Sequence, residues 1–126
     1  MDPSLVLRVL VVDDEPLIRW SVRQGLMQRG HTVAEAACGA EAVTLLRQAP
    51  DCFDVVILDY RLPDSRDLAL LDEVRRLAPA STVVMMTAYA DERVKTEAVD
   101  HGALAVLGKP FRVGALVSLI ESTVRP

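Results

Sequence analysis

Cysteine is scarce in this chain, and so is lysine: two of each among 126 residues. Cys38 and Cys52 fit neither a metal-binding spacing nor a disulfide framework, so they read as small packing residues in a reducing cytosol. No apolar run approaches the roughly 20 residues of a membrane span, and Met1-Asp2-Pro3-Ser4 opens no signal peptide. A cytoplasmic chain that stays off the membrane is expected. Positive charge is also lacking. A net charge of −4 and a pI near 5.1 leave no electrostatic footprint for direct nucleic-acid binding. No glycine-rich G-x-G-x-x-G follows any apolar run, which argues against a dinucleotide site. Linkers, repeats and low-complexity stretches are missing too, and Arg125-Pro126 looks like a stop just past a helix, natural or cut from something longer.

What remains is ordinary globular composition, 51% hydrophobic and 25% charged, at a length that suits one domain over residues 1–126. The most telling stretch is Val55-Val56-Ile57-Leu58-Asp59. Its β-branched aliphatic run is too short for a buried helix and suits a strand over 53–59 that is covered on both faces. Residues 7–12 and 82–86 read as further buried strands, 104–107 as a short last strand, and 32–36 as a less hydrophobic strand near an edge. Between them lie helical patterns. Pro16 opens the first, with Asp14 or Glu15 at its cap, and Ile18, Val22 and Leu26 form its buried stripe up to Gly30. The second runs from Gly39 to Gln48 with Val43 and Leu46 inward, and the third over 67–78 with Leu70, Leu71, Val74 and Leu77 on one face. Asp67 either needs a compatible backbone or caps this helix. The fourth, 91–101, has only Val94, Ala98 and Val99 as apolar anchors and is the least firmly held. Val113, Leu116, Val117, Ile120 and Val124 mark the fifth. Five alternations of strand and helix argue for an α/β fold: a doubly wound parallel sheet with helices on both faces.

In such a fold the carboxyl ends of the strands share one rim, where open sheets place their ligands. The sequence puts Asp13 and Asp14 after the first strand, Asp59 after the third, Thr87 after the fourth and Lys109 after the fifth. A lone acid ending a strand would usually just face water. Three acids brought together repel unless a cation joins them. Oxygen-only ligation favours a hard octahedral ion, so Mg²⁺ is the expected cofactor and Mn²⁺ a substitute. Because arginine outnumbers lysine twelve to two, the placement of Lys109 is informative. Acids, cation, lysine and hydroxyl together describe a pocket that stabilises a phosphoryl group arriving on Asp59.

At this point the chain resembles the receiver domain of two-component response regulators, the CheY-like family. The matching pieces are Val11-Val12-Asp13-Asp14-Glu15, Val55-Val56-Ile57-Leu58-Asp59, Leu62-Pro63, Met86-Thr87-Ala88 and Lys109-Pro110-Phe111, in family order over nearly the whole chain. The wording Asp59-Tyr60-Arg61-Leu62-Pro63-Asp64, with Thr87-Ala88-Tyr89, looks most like receivers of NtrC-type transcriptional activators. The resemblance implies a flavodoxin-like sheet of strand order 2-1-3-4-5. It implies Asp59 as phosphoacceptor, served by a sensor histidine kinase or phosphotransfer protein. Mg²⁺ would sit on Asp13 or Asp14 and Asp59, with the carbonyl of Arg61 as a further ligand. Lys109 would pair with the carboxylate and then the phosphate, through a cis Lys109-Pro110 bond, and Thr87 would hydrogen-bond a phosphoryl oxygen. The domain would assist its own phosphotransfer and dephosphorylation without being a turnover enzyme. It would control an output domain or partner, as in transcription regulation. A homodimer through the fourth helix, fifth strand and fifth helix is a further expectation.

The sequence departs from that pattern at Val106, where the family usually carries a switch aromatic. Valine has no polar tip and one stiff torsion, so Tyr89 is expected to take the switch role. Trp20 falls off the Ile18–Val22–Leu26 stripe and reads as half-buried packing, with a partner surface as the alternative. His31 and His101 stand beside helix-ending glycines and read as caps or solvent-facing groups. Arg61 and Tyr89 could tune the phosphate's lifetime or be plain loop residues. An aspartyl-phosphate phosphatase is the competing enzyme class, but its general acid two residues past the nucleophile is Arg61 here. A receiver-shaped module indifferent to phosphate is the third reading, with Val106 in its favour.

Overall fold

The computed structural model describes residues 6–65 and 68–123. Ten elements alternate: β1 (Arg8–Val12), α1 (Pro16–Gln28), β2 (Thr32–Ala36), α2 (Gly39–Gln48), β3 (Val55–Asp59), α3 (Ala69–Leu77), β4 (Thr82–Thr87), α4 (Glu92–Asp100), β5 (Ala105–Gly108) and α5 (Val113–Thr123). All four strand pairings are parallel, in the order β2-β1-β3-β4-β5. The sheet is doubly wound, as its two cores show. Leu10, Val12, Val56, Leu58, Val83 and Met85 pack with α2, α3 and α4. Their strand neighbours Val9, Val11, Val55, Ile57, Val84 and Met86 pack with α1 and α5. Successive strand side chains point to opposite faces, so the central strands, covered by both helical layers, are apolar at consecutive positions. That is the physical content of the uninterrupted aliphatic runs.

Several boundaries shift. Strand 53–59 starts at Val55 in β3, yet Asp54 still exchanges backbone hydrogen bonds with Arg8 and Thr82, so the difference is fraying at a strand end. The last strand, expected over 104–107, runs one residue later as β5. Helix 67–78 contracts to Ala69–Leu77 with Leu68 at its cap. Asp67, expected there, lies outside the described residues, as does Val124. Glu15 occupies the N-cap position of α1, but its side chain makes no capping bond. In α2 the fully buried positions are Ala42 and Leu46, with Val43 only partly covered. In α4, Val94 and Ala98 are buried and Val99 is 52% exposed.

Three expectations about single residues are overturned. Trp20 is 57% exposed rather than half-buried, because it points outward from α1 beside the cleft against α5. Cys52 is exposed and packs nothing in. His31 is buried. The N–H of Leu7 can only donate, so Nδ1 of His31 accepts it at 3.0 Å, and the ring proton resides on Nε2, 2.7 Å from Oε2 of Glu121. The ring fastens the start of β1 to the end of α5.

A second fastening holds the loop after β3. Both carboxylate oxygens of Asp64 accept backbone N–H groups at the start of α2, from Gly39 at 2.8 Å and Ala40 at 2.9 Å. These bonds hold the Asp64 carboxyl below its ordinary value. Asp64 thus caps a helix that begins 25 residues earlier. Asp64→Ala is expected to cost about 1 kcal/mol, the usual size of a lost N-cap. The loss should show in denaturant unfolding at pH 7 and shrink as acid protonates the wild-type carboxylate. A variant as stable as wild type at pH 7 would contradict the capping role.

Candidate functional site

The strand order reverses direction between β1 and β3, and it is there, at the carboxyl ends, that a crevice opens. Asp13 follows β1, Asp59 ends β3, Thr87 ends β4 and Lys109 follows β5. Each side chain is placed by the last bonds of its strand: Asp13 N–H donates to Ala36, and Lys109 N–H to the carbonyl of Thr87 at 2.7 Å. The Lys109-Pro110 peptide bond is cis, as expected.

The groups converge on one ammonium. Lys109 Nζ lies 2.9 Å from Asp13 Oδ2, 3.0 Å from Glu15 Oε1 and 3.2 Å from Asp59 Oδ2. Burial works against its charge, but the three carboxylates outweigh that and hold the lysine well above its ordinary value. Asp59 is 6% exposed. Burial, then the negative charge of Asp13, push its carboxyl up to about 6, while Lys109 and the N–H of Arg61 pull the other way. That N–H donates to Asp59 Oδ1 at 3.3 Å. Thr87 is buried, and its Oγ1 accepts the N–H of Tyr89 at 2.9 Å, leaving the hydroxyl proton free to donate.

Four acids crowd here, one more than expected. Asp13, Asp14, Glu15 and Asp59 each place a carboxylate oxygen within 4.8 Å of the others. Opposite ligands of an octahedral ion stand about 4.2 Å apart for Mg²⁺ and about 4.8 Å for Ca²⁺, so the acids fit around a hard divalent cation with small adjustment. A second observation agrees. Asp13 Oδ2 is buried and accepts no hydrogen bond; the ammonium 2.9 Å away supplies charge without a well-directed bond. An orphaned carboxylate oxygen of that kind is suited to an ion.

Asp14, Glu15, Asp59, Arg61, Thr87, Ala88, Tyr89 and Lys109 line a cavity of about 120 Å³. The structure therefore brings every expected site residue to one place: Asp13 beneath, the others around the opening. A larger groove, about 600 Å³ between α1 and α5 beside Trp20, contains none of them. Sequence reasoning missed two features. Glu15 reads from the sequence only as an alternative to Asp14 for a helix cap, although its charge beside two other acids is visible there. The guanidinium of Arg61 stacks over the ring of Tyr89, 4.2 Å from the centroid, and nothing in the sequence spacing announces that contact.

Among the described residues no helix is long and apolar enough to cross a membrane. Residues 9–121 match the family described as the response regulator receiver domain. The DNA-binding transcriptional regulator NtrC of Escherichia coli K12 is 35% identical over 116 residues, which is 92% of this chain and 24% of that protein. The chain thus spans about a quarter of the length of that relative. A CheY-like response regulator receiver domain protein from Methanospirillum hungatei superposes with a TM-score of 0.87 at 28% identity, over 95% of this chain and 94% of the other. A response regulator protein from Burkholderia pseudomallei, solved with a phosphorylated aspartic acid, calcium ion and citrate, matches at 28% identity with a TM-score of 0.81. That match covers 89% of this chain and 65% of the other.

Proposed function

The chain belongs to the response regulator receiver domain family, and from that premise we propose that Asp59 accepts a phosphoryl group from the phosphohistidine of a sensor kinase or phosphotransfer protein. One observation carries the reading: a strand-end carboxylate, buried and held up to about 6, shares a single ammonium with the acids of the neighbouring strand end. An oxygen of ionised Asp59 attacks phosphorus while the P–N bond to the donor imidazole breaks, and the departing nitrogen takes up a proton. Lys109, already balancing three acids, faces the incoming oxygens, and the Thr87 hydroxyl donates to one of them. Asp13, Asp14 and Asp59, with the carbonyl of Arg61 and Glu15 within reach, would hold Mg²⁺ or Mn²⁺. When bound, the ion supplies positive charge to the phosphoryl oxygens.

Residues 1–126 form one receiver domain in this reading, acting as a cytoplasmic switch for an output domain or partner. The NtrC relative favours transcription regulation as that output. Exposed Val99 on α4 and Leu104 before β5 support a homodimer through α4, β5 and α5. The acceptor's output passes through a change in the loop after β4 and in α4.

The test is chemical. With Mg²⁺ and a small donor such as phosphoramidate, intact mass should show one added phosphoryl group that hydroxylamine removes. Asp59→Asn or a chelator should abolish it. Because the carboxylate is the nucleophile, labelling should fall in acid as Asp59 takes up a proton, and bound Mg²⁺ should move that fall to lower pH. Labelling that survives in Asp59→Asn, or many phosphates released per chain from a generic phosphomonoester, would overturn the reading.

A further inference from the structure

Arg61 is the second cation at the acid pocket, and it is differently employed from the first. Among the described residues it forms no ion pair; its guanidinium instead lies on the Tyr89 ring at 4.2 Å. Both side chains line the cavity into which Asp59 opens, and Tyr89 is the one aromatic lining it among the described residues. Tyr89 is 53% exposed, so little packing fixes its ring there.

The backbones of the two residues are tied to the chemistry on one side and to α4 on the other. Arg61 N–H donates to Asp59, and Tyr89 N–H donates to the Thr87 hydroxyl oxygen. The carbonyl of Tyr89 accepts the N–H of Asp91 at 2.9 Å. Asp91 in turn caps α4, its Oδ1 accepting the N–H of Val94 at 2.8 Å. A stacked pair thus spans the gap between the acceptor and the helix expected to move.

We propose that Arg61 and Tyr89 form a latch that an anion opens: with a phosphoryl group on Asp59, the guanidinium leaves the ring for the phosphoryl oxygens, and the freed ring carries the change to the start of α4. The inference rests on Asp59 being the acceptor. A guanidinium on an exposed ring is one of the weaker attractions available to arginine. Its planar fork on a phosphate dianion is one of the strongest. The exchange is therefore downhill only once the anion has arrived, which is what a latch requires. It also gives this chain an aromatic that responds, where Val106 offers none.

Beryllofluoride with Mg²⁺ serves as the phosphoryl mimic, and 3-fluorotyrosine reports on Tyr60 and Tyr89, with Tyr89→Phe assigning the signals. The Tyr89 fluorine resonance should move when beryllofluoride binds, and in Arg61→Gln it should start near the bound position and move little. The two halves of the latch should act on affinity with opposite sign. Arg61→Gln removes a ligand of the anion and should weaken beryllofluoride binding about three- to tenfold. Tyr89→Ala removes the ring that competes for Arg61 and should tighten it about two- to fivefold. If bound beryllofluoride gives its own fluorine signal while Tyr89 stays put, or if both variants shift affinity the same way, the latch is wrong and the acceptor stands. If wild type gives no more bound signal than Asp59→Asn, the acceptor reading falls and the latch falls with it.

Discussion

Asp59→Asn should make this protein more stable at pH 7, by at most about 3 kcal/mol. The figure follows from a folded-state carboxyl near 6 against about 3.9 in the unfolded chain, at about 1.36 kcal/mol for each unit. The sign follows from linkage. Because the value is raised on folding, the folded chain holds this proton more tightly than the unfolded one. Ionised Asp59 carries no penalty below pH 4, where both states are protonated. The penalty grows as pH rises from 4 to 6 and is complete above 6. Asparagine keeps the shape and cannot ionise, and Lys109 retains Asp13 and Glu15. Urea unfolding of both proteins at pH 7 and pH 4 checks this: the gain should be large at the first and nearly vanish at the second. An equal gain at both values would mean that the cause is packing and not charge.

The opposite response is expected from Lys109→Met. Four carboxylates share this site, and Lys109 is the cation paired with three of them. Removing one partner of a buried ion pair leaves its charge uncompensated, which costs about 3–5 kcal/mol when the partner is fully buried. Asp13 is fully buried but Glu15 is open to solvent, so about 2–4 kcal/mol is expected in urea without divalent ions. Millimolar Mg²⁺ should recover part of the loss by supplying the missing charge. Transfer to Asp59 should slow about a hundredfold or more, the usual effect of deleting one charge-stabilising donor. Unchanged stability without Mg²⁺ would show that the ammonium is not what holds the acids together.

How far these features could be read from the chain depends on the distance between partners. The sheet was legible because burial on both faces leaves its mark in consecutive residues, as in Val55-Val56-Ile57-Leu58. The site was legible because strand ends in a parallel sheet share one rim, so Asp13, Asp59, Thr87 and Lys109 needed only strand order to be gathered. Side-chain partners are a different matter. Periodicity states which face of α1 turns inward, but not that Trp20 would stay exposed while lining the cleft with α5. Gly30 beside His31 suggested a helix end open to water; its actual partner, Glu121, is 90 residues away. Nothing around Asp64 in the sequence announces its role, which depends on two N–H groups from another helix. The Arg61–Tyr89 stack belongs to the same class, a contact between two loops whose positions only the fold decides.

The His31 fastening has a consequence for where this protein can be handled. All five strands run the same way, so His31, Leu7 and the end of α5 gather at the rim where strands begin, while Asp59 stands where they finish. A five-residue strand separates the two by about 17 Å of extended chain. Dyes, surface anchors or fusions attached at that rim would therefore be insulated from the chemistry by the full height of the sheet.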